Sequence, residues 1–241
     1  MRLFNYYPTR DNNLDAGLEK KIFRYSMVLP GLFLLCFWLV YLVETLLQLD
    51  FAEFGIYPLE LKGLKGILFS PFIHGGFKHL AANSVPFFVL SVSLFYFYRQ
   101  LAYRIFFLLY FLSGLCVWLG GREAWHIGAS GLIYGLGAFL FFSGIFRNDV
   151  KLLTISIIVV FLYGGMFWGI FPIEPSISWE SHLWGSVSGF VLSIYYRKQG
   201  PQRSRYEWED EEEDADSFPD EETSGPGHSN PHKNDTNPEK T

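Results

Sequence analysis

The amino-acid sequence predicts an all-α integral membrane protein built around six transmembrane helices. Half of the 241 residues are hydrophobic, 19% are aromatic, and charged residues are sparse before residue 200. A water-soluble domain cannot cover so many long apolar stretches, because each of its helices must present a polar side to solvent. The stretches do not alternate between apolar and polar residues, which argues against a transmembrane β-barrel.

Six apolar segments carry this prediction. They span residues 27–49, 80–98, 105–121, 127–146, 152–173 and 182–196. Most of them approach the roughly 20 residues that a helix needs to cross a hydrocarbon core. Backbone groups inside that core must bond within their own segment, so helices are expected. The sixth segment is short, and the distribution of charge supports it.

The distribution of positive charge predicts that both termini lie in the cytoplasm. With six spans, and leaving aside two lysines in the far tail, thirteen lysines and arginines fall on the side of the termini and four on the other. Positively charged loops stay on the cytoplasmic side of a membrane. Residues 1–24 are therefore predicted to form a cytoplasmic arm and 25–198 the membrane domain. Residues 199–241 form a disordered acidic cytoplasmic tail, because they are too polar to bury a core.

The first loop, about residues 50–78, is unusually long and rich in glycine and proline. It also contains apolar pieces such as Ile67-Leu68-Phe69. This mixture predicts an ordered element that lies at the outer membrane interface or dips into it.

Polar residues at membrane depth are the candidate functional residues, because placing them in hydrocarbon is costly. They occur at the starts of the second, fourth and sixth segments. The sets are His79 and Asn83 with His74 upstream, then Ser130 with Tyr134, then His182. All three segments run from the outer to the inner face, so we expect their starts to lie at one depth near the outer surface.

This set of residues suits a serine nucleophile activated by a histidine base. A serine hydroxyl is a weak nucleophile, and His182, with an ordinary pKa of about 6.5, can take the proton of Ser130. His79 and Asn83 lie one helical turn apart and can donate hydrogen bonds to an oxyanion, as can the free N–H groups of a helix start. Glu180 is the nearest carboxylate but is not in good reach of His182, so we predict a dyad.

Glycine spacing predicts how the fourth and sixth helices meet. The small-residue stripes are Gly131 with Gly135, and Gly185 with Gly189. Such stripes allow the backbones of two membrane helices to approach closely. If the stripes face each other, Ser130 and His182 are brought together and Tyr134 can pack against the imidazole. Gly128 permits a close backbone approach beside the serine.

These motifs resemble the rhomboid family of intramembrane serine proteases. The motifs, within about residues 25–198, are Gly128-Ala129-Ser130-Gly131, His79-x3-Asn83 with His74 upstream, and Ser178-Trp179-x2-His182-Leu183-x-Gly185-x3-Gly189. The resemblance implies a six-helix rhomboid-like bundle with Ser130 as nucleophile and His182 as base. It implies an oxyanion hole made by His79, Asn83 and the Ser130 N–H, and a Tyr134 ring stacked on His182.

The resemblance also implies partners and a location. Substrates would be single-span transmembrane proteins with helix-weakening residues near the cut, admitted sideways past the fifth helix and the outer loops. We expect a multi-pass protein in the lipid bilayer of a bacterial inner (plasma) membrane, with no cofactor, no metal and no nucleic acid. Many relatives carry a Trp-Arg pair in the first outer loop, where this chain has Lys65-Gly66-Ile67-Leu68.

Other interpretations are weighed against this one. A catalytically silent rhomboid-like protein that binds membrane helices is the main alternative, although such proteins usually lose one member of the dyad. A transporter or channel is disfavoured by the near absence of charge inside the helices and of an internal repeat. A metal site built from histidines lacks a carboxylate or cysteine partner and a zinc-ligand spacing. His74 is expected to be structural, and His126 to lie at the membrane interface.

Overall fold

The computed structural model describes residues 16–147, 153–154, 157–158, 168–173 and 178–200. Within these ranges the regular structure is helical, and β pairing is limited to a single bridge between Ile56 and His126. All of these residues belong to one unit of the chain, Met1–Arg203, and the second unit, Ser204–Thr241, lies outside the described residues. Most of the predicted acidic tail falls in that second unit.

The chain begins its described part with α1 (Ala16–Ser26), an amphipathic helix that leads directly into α2 (Val28–Leu47). Short helical turns follow, at Ala52–Phe54, α3 (Leu61–Leu64), α4 (Gly66–Phe69) and Ser70–Phe72. The longer helices are α5 (Phe77–Phe97), α6 (Ala102–Gly120), α7 (Ser130–Arg147) and α8 (Trp179–Tyr195).

Four helical stretches in the described ranges are long and apolar enough to cross a membrane. They are Gly17–Leu47, Phe77–Phe97, Ala102–Gly120 and Ser130–Arg147. These stretches match the first four predicted segments and confirm a helical, multi-pass architecture. Helix α8, with 17 residues, is shorter and corresponds to the sixth predicted segment. The fifth predicted segment, 152–173, lies mostly outside the described residues, so the count of six remains a prediction.

Several helices begin at a different residue than hydropathy predicts. Helix α7 begins at Ser130, although its predicted segment begins at 127. The reason is Gly128, whose φ of +106° is incompatible with a right-handed helix. Helices α5 and α8 begin earlier than predicted, because their first turns contain polar residues such as Lys78 and Glu180 that hydropathy excludes. Helix α1 extends into the predicted N-terminal arm.

Helix α7 lies at the centre of the bundle. In this helix 72% of the residues are buried, whereas only 17% of the most apolar stretch of the first span is buried. The core around α7 is aromatic and aliphatic, with Phe106, Leu109, Leu136 and Phe139 fully buried. The large apolar residues of α2 are instead mostly exposed, as expected for a helix that faces lipid.

The segment between α2 and α5 is held together by close backbone contacts. A Cβ on Gly63 or on Gly66 would lie 2.0 to 2.1 Å from backbone atoms of residues 55–57, so only glycine fits at either position. Ile56 exchanges two backbone hydrogen bonds with His126, at 2.9 and 2.8 Å. The segment is therefore attached to the loop that leads into α7.

Candidate active site

Among the helices that the structure describes, α7 and α8 make the most extensive contact, and glycines lie at its centre. A Cβ on Gly185 would lie 2.0 Å from the carbonyl oxygen of Gly131, and one on Gly189 would lie 2.2 Å from that of Gly135. No side chain can occupy so little space, so the two backbones are in direct contact. The two glycine stripes thus lie opposite each other.

This contact brings the starts of α7 and α8 together. Ser130 is the first residue of α7 and His182 lies in the first turn of α8, and both are buried, at 6% and 8% exposure. The carbonyl oxygen of Ser181 lies 3.2 Å from the position that a Cβ on Gly131 would take. The immediate neighbours of Ser130 and His182 are therefore in van der Waals contact.

The imidazole of His182 is stacked on the ring of Tyr134. The two ring centroids are 4.1 Å apart and the ring planes differ by 5°. Tyr134 lies one helical turn after Ser130, so both residues belong to the same face of α7. The stack therefore holds the imidazole against the face of α7 that carries the candidate nucleophile.

A backbone carbonyl fixes the tautomer of His182. The Nδ1 atom lies 2.8 Å from the carbonyl oxygen of Gly169, and because a carbonyl can only accept, the neutral imidazole carries its proton on Nδ1. Its Nε2 is then left with a lone pair that can accept a proton. Sequence reasoning found no carboxylate for this role and missed Gly169, because a backbone carbonyl leaves no signature in the residue type.

His79 and Asn83 lie against the backbone just before Ser130. A Cβ on Gly128 would lie 2.7 Å from the His79 ring and 3.6 Å from the Asn83 Nδ2. Among the described residues, Nδ2 of Asn83 has no hydrogen-bond partner although it is buried. A buried N–H without a partner costs free energy, so this amide is available to a ligand.

The ring of His74 packs against the ring of His79. His74 is 3% exposed, and its ring lies 5.1 Å from that of His79 and 5.4 Å from that of Phe37. Burial lowers the pKa of His74 to about 3, and the nearby His79 also lowers it, so His74 is neutral at physiological pH. In the described ranges no group of three His, Cys, Asp or Glu is placed to hold a metal ion.

His126 is buried, at 2% exposure, and its predicted position at the membrane interface stays a prediction. Its Nε2 lies 3.0 Å from the carbonyl oxygen of Arg122 and therefore carries the proton, so Nδ1 accepts a hydrogen bond from the Ser178 hydroxyl. Burial lowers the pKa of His126, in keeping with this neutral tautomer. The Ser178 hydroxyl also lies 2.6 Å from that of Ser181, next to His182.

A small cavity with a volume of about 20 Å³ lies near the start of α7, and neither Ser130 nor His182 is among its lining residues. It is bordered by Gly128 and Gly131 on the side of Ser130, and polar lining comes from Ser70, Ser113 and Ser181. A space of this volume with several hydroxyl groups can hold about one water molecule.

Comparison with known proteins identifies the family to which this chain is similar. A model of the rhomboid domain matches residues 62–199, a range that contains all the candidate residues from His74 to His182. The chain is 37% identical over 182 residues to an uncharacterized protein of Mycobacterium tuberculosis, covering 68% of this chain and 73% of the relative. It is 32% identical over 181 residues to an uncharacterized protein of Mycobacterium leprae, covering 71% and 70%. It is 33% identical over 137 residues to "Putative rhomboid protease YdcA" of Bacillus subtilis, covering 51% and 62%.

Proposed function

This chain belongs to the rhomboid family, and on that premise we propose that it is an intramembrane serine endopeptidase with Ser130 as nucleophile and His182 as base. The observation that carries the proposal is the fixed imidazole. His182 is stacked on Tyr134 and its Nδ1–H is bound to the carbonyl of Gly169, which leaves Nε2 to accept a proton. The name of the Bacillus subtilis relative, "Putative rhomboid protease YdcA", agrees with this function.

The first half of the reaction is acyl transfer. As Oγ of Ser130 attacks the scissile carbonyl, its proton passes to Nε2 of His182. The bond between Gly169 and Nδ1 keeps the imidazole oriented while it becomes positively charged. The tetrahedral intermediate then collapses, the C–N bond breaks, and His182 returns the proton to the leaving amine.

The oxyanion of the intermediate is stabilised by donors at the start of α7. The Asn83 amide lacks a partner in the described part of the resting protein, and it lies next to Gly128, two residues before the nucleophile. His79 and the N–H of Ser130 complete the set. One such donor contributes about 10² to 10³ in rate.

The second half of the reaction requires water inside a largely apolar bundle. The cavity lined by Gly128 and Gly131 can hold one water molecule near the start of α7, and this water would have to move from there to the dyad. His182 takes a proton from this water, whose oxygen attacks the acyl group, and the proton then passes to Ser130 as the ester bond breaks. No cofactor takes part in either half.

The substrates that we propose are single-span transmembrane proteins whose helix unwinds near the cleaved bond. The chain itself would form a six-helix bundle in the inner (plasma) membrane of a bacterium, with both termini in the cytoplasm and the dyad near the outer face. The four apolar spans, and the positive charge concentrated in alternate loops, support this arrangement.

The test is cleavage of a model single-span substrate by the purified protein, together with labelling by a serine-directed fluorophosphonate. We expect the wild type to cleave and to be labelled, and Ser130→Ala and His182→Ala to do neither. Ser93→Ala is the matched control, because the hydroxyl of this mostly buried serine bonds the Val89 carbonyl of its own helix. A folded wild type that is neither active nor labelled would instead support a silent protein that binds membrane helices.

A further inference from the structure

A buried carboxylate lies two residues before His182 and has no part in the proposed reaction. Glu180 is 2% exposed, and in the described part of the chain neither of its carboxylate oxygens accepts a hydrogen bond. It is held by an ion pair instead, since Nε of Arg122 lies 3.5 Å from Oε1. A buried charge is tolerated best when it is paired, so Arg122, whose side chain is 40% exposed, holds the carboxylate of Glu180 in place.

A second polar link runs beside this ion pair. His126 accepts a hydrogen bond from Ser178, and the Ser178 and Ser181 hydroxyls are hydrogen-bonded to each other. Arg122 and His126 both belong to the loop that ends at Ser130, between α6 and α7. Both links therefore connect two segments. One is the loop that leads to Ser130, and the other is the first turn of α8, which contains His182.

The glycine contact alone does not set the register of these two helices. Glycine surfaces are smooth, and they permit close approach without the interlocking side chains that prevent sliding or rotation. A dyad, however, requires the base within about 2.6 to 3.2 Å of the nucleophile. Directional polar contacts at the start of α8 supply the missing constraint.

We propose that Glu180 and Arg122 are positioning residues that hold the first turn of α8 in register with Ser130. Neither residue touches the reacting atoms. The inference rests on the proposed function, because it assigns the ion pair a role in the reaction between Ser130 and His182.

The test measures the rate and the end point of fluorophosphonate labelling of Ser130 in the purified full-length chain. The rate reports how well His182 activates the serine, and the end point reports the folded fraction. Arg122→Gln leaves the buried carboxylate of Glu180 unpaired, so we expect labelling to slow by roughly 10- to 100-fold with an unchanged end point. Arg122→Lys keeps the charge and should fall between wild type and Arg122→Gln.

The labelling rate of a double variant shows whether Arg122 and Glu180 act together. Glu180→Gln removes the unpaired charge, so Arg122→Gln with Glu180→Gln should be labelled faster than Arg122→Gln alone. Lys62→Gln is the control, since it breaks a surface ion pair with Glu60 in which both side chains are about half exposed, and its rate should equal that of the wild type.

Three results would overturn the inference. Wild-type rates in Arg122→Gln would mean that the ion pair positions nothing. A double variant no faster than Arg122→Gln would mean that the two residues are not coupled. A rate that falls only in step with the end point would mean that the pair supports folding alone. If the folded wild type itself is not labelled, the proposed function fails, and the inference that rests on it fails with it.

Discussion

The ring of Tyr134 lies parallel to the imidazole of His182, with centroids 4.1 Å apart. An aromatic contact of this kind contributes about 0.5 to 1.5 kcal/mol beyond the area that it buries. We expect Tyr134→Ala to lower kcat about 2- to 13-fold, the equivalent of that energy, because the imidazole loses its support. Tyr134→Phe keeps the ring and should be affected less. Equal losses in the two variants, measured on a single-span substrate, would show that stacking is not the function of Tyr134.

The glycine contact between α7 and α8 predicts a strong effect on stability. Gly185→Ala would place a Cβ 2.0 Å from the carbonyl oxygen of Gly131, and this atom is backbone that cannot rotate away. Overpacking of this kind costs about 1 to 3 kcal/mol or more, so we expect a clear fall in Tm in detergent.

Gly137→Ala is the matched control for this change, on the same helix as Gly131. Its Cβ would lie 3.7 Å from Leu90, which is an ordinary contact. Alanine also favours a helix over glycine by up to about 1 kcal/mol. We therefore expect Gly137→Ala to leave Tm unchanged or raise it, and a fall as large as that of Gly185→Ala would argue against the backbone contact.

We expect Asn83→Ala to lower activity without a matching loss of stability. The Nδ2 atom of Asn83 has no hydrogen-bond partner among the described residues, so Asn83→Ala removes no hydrogen bond donated by Nδ2 in the resting protein. An oxyanion donor acts in the transition state, and its loss should lower kcat by about 10² to 10³ with little change in KM. A comparable loss of activity that is fully explained by a lower Tm would contradict the assignment.

His74 predicts a dependence of stability on pH. Its pKa is about 3 in the folded protein, mainly because it is buried, against an ordinary value of about 6.5. The unfolded chain therefore binds more protons between these values, so stability is fully present above about pH 6.5 and falls as pH falls toward 3. Between pH 6.5 and 4.5 one such group contributes a loss of up to roughly 3 kcal/mol.

His74→Phe is the variant that tests this dependence. It keeps an aromatic ring next to Phe37 and His79 but cannot titrate. Denaturation curves at pH 7.5 and 4.5 should therefore differ less for the variant than for the wild type. An equal difference in both proteins would mean that other groups govern the acid sensitivity.

The sequence was sufficient to predict those parts of the fold that depend on hydropathy. The first four apolar segments are helices, and the family resemblance is confirmed. Helix starts were less accurate, because a positive φ at Gly128 and a charged first turn at Glu180 are invisible to an apolar pattern. The roles assigned to Ser130 and His182 stay predictions until activity is measured.

The parts of the candidate site that could not be predicted depend on the three-dimensional fold. The hydrogen bond from Nδ1 of His182 to the carbonyl of Gly169 is made by the backbone, so no residue type in the sequence indicates it. The pairing of Arg122 with Glu180, and the burial of His126, depend on a loop that folds back onto the start of α8. Residue types alone do not specify which of these polar groups meet.

The bridge between Ile56 and His126 also bears on how this sequence can diverge. Both of its hydrogen bonds are made by the main chain, so the bridge itself does not require the side chains of Ile56 and His126, although a proline at either position would remove an N–H donor. Exposed side chains of the segment between α2 and α5 can therefore change while its backbone attachment to the loop before α7 is kept. Selection should act instead on Gly63 and Gly66, where a single methyl group would force the backbone apart.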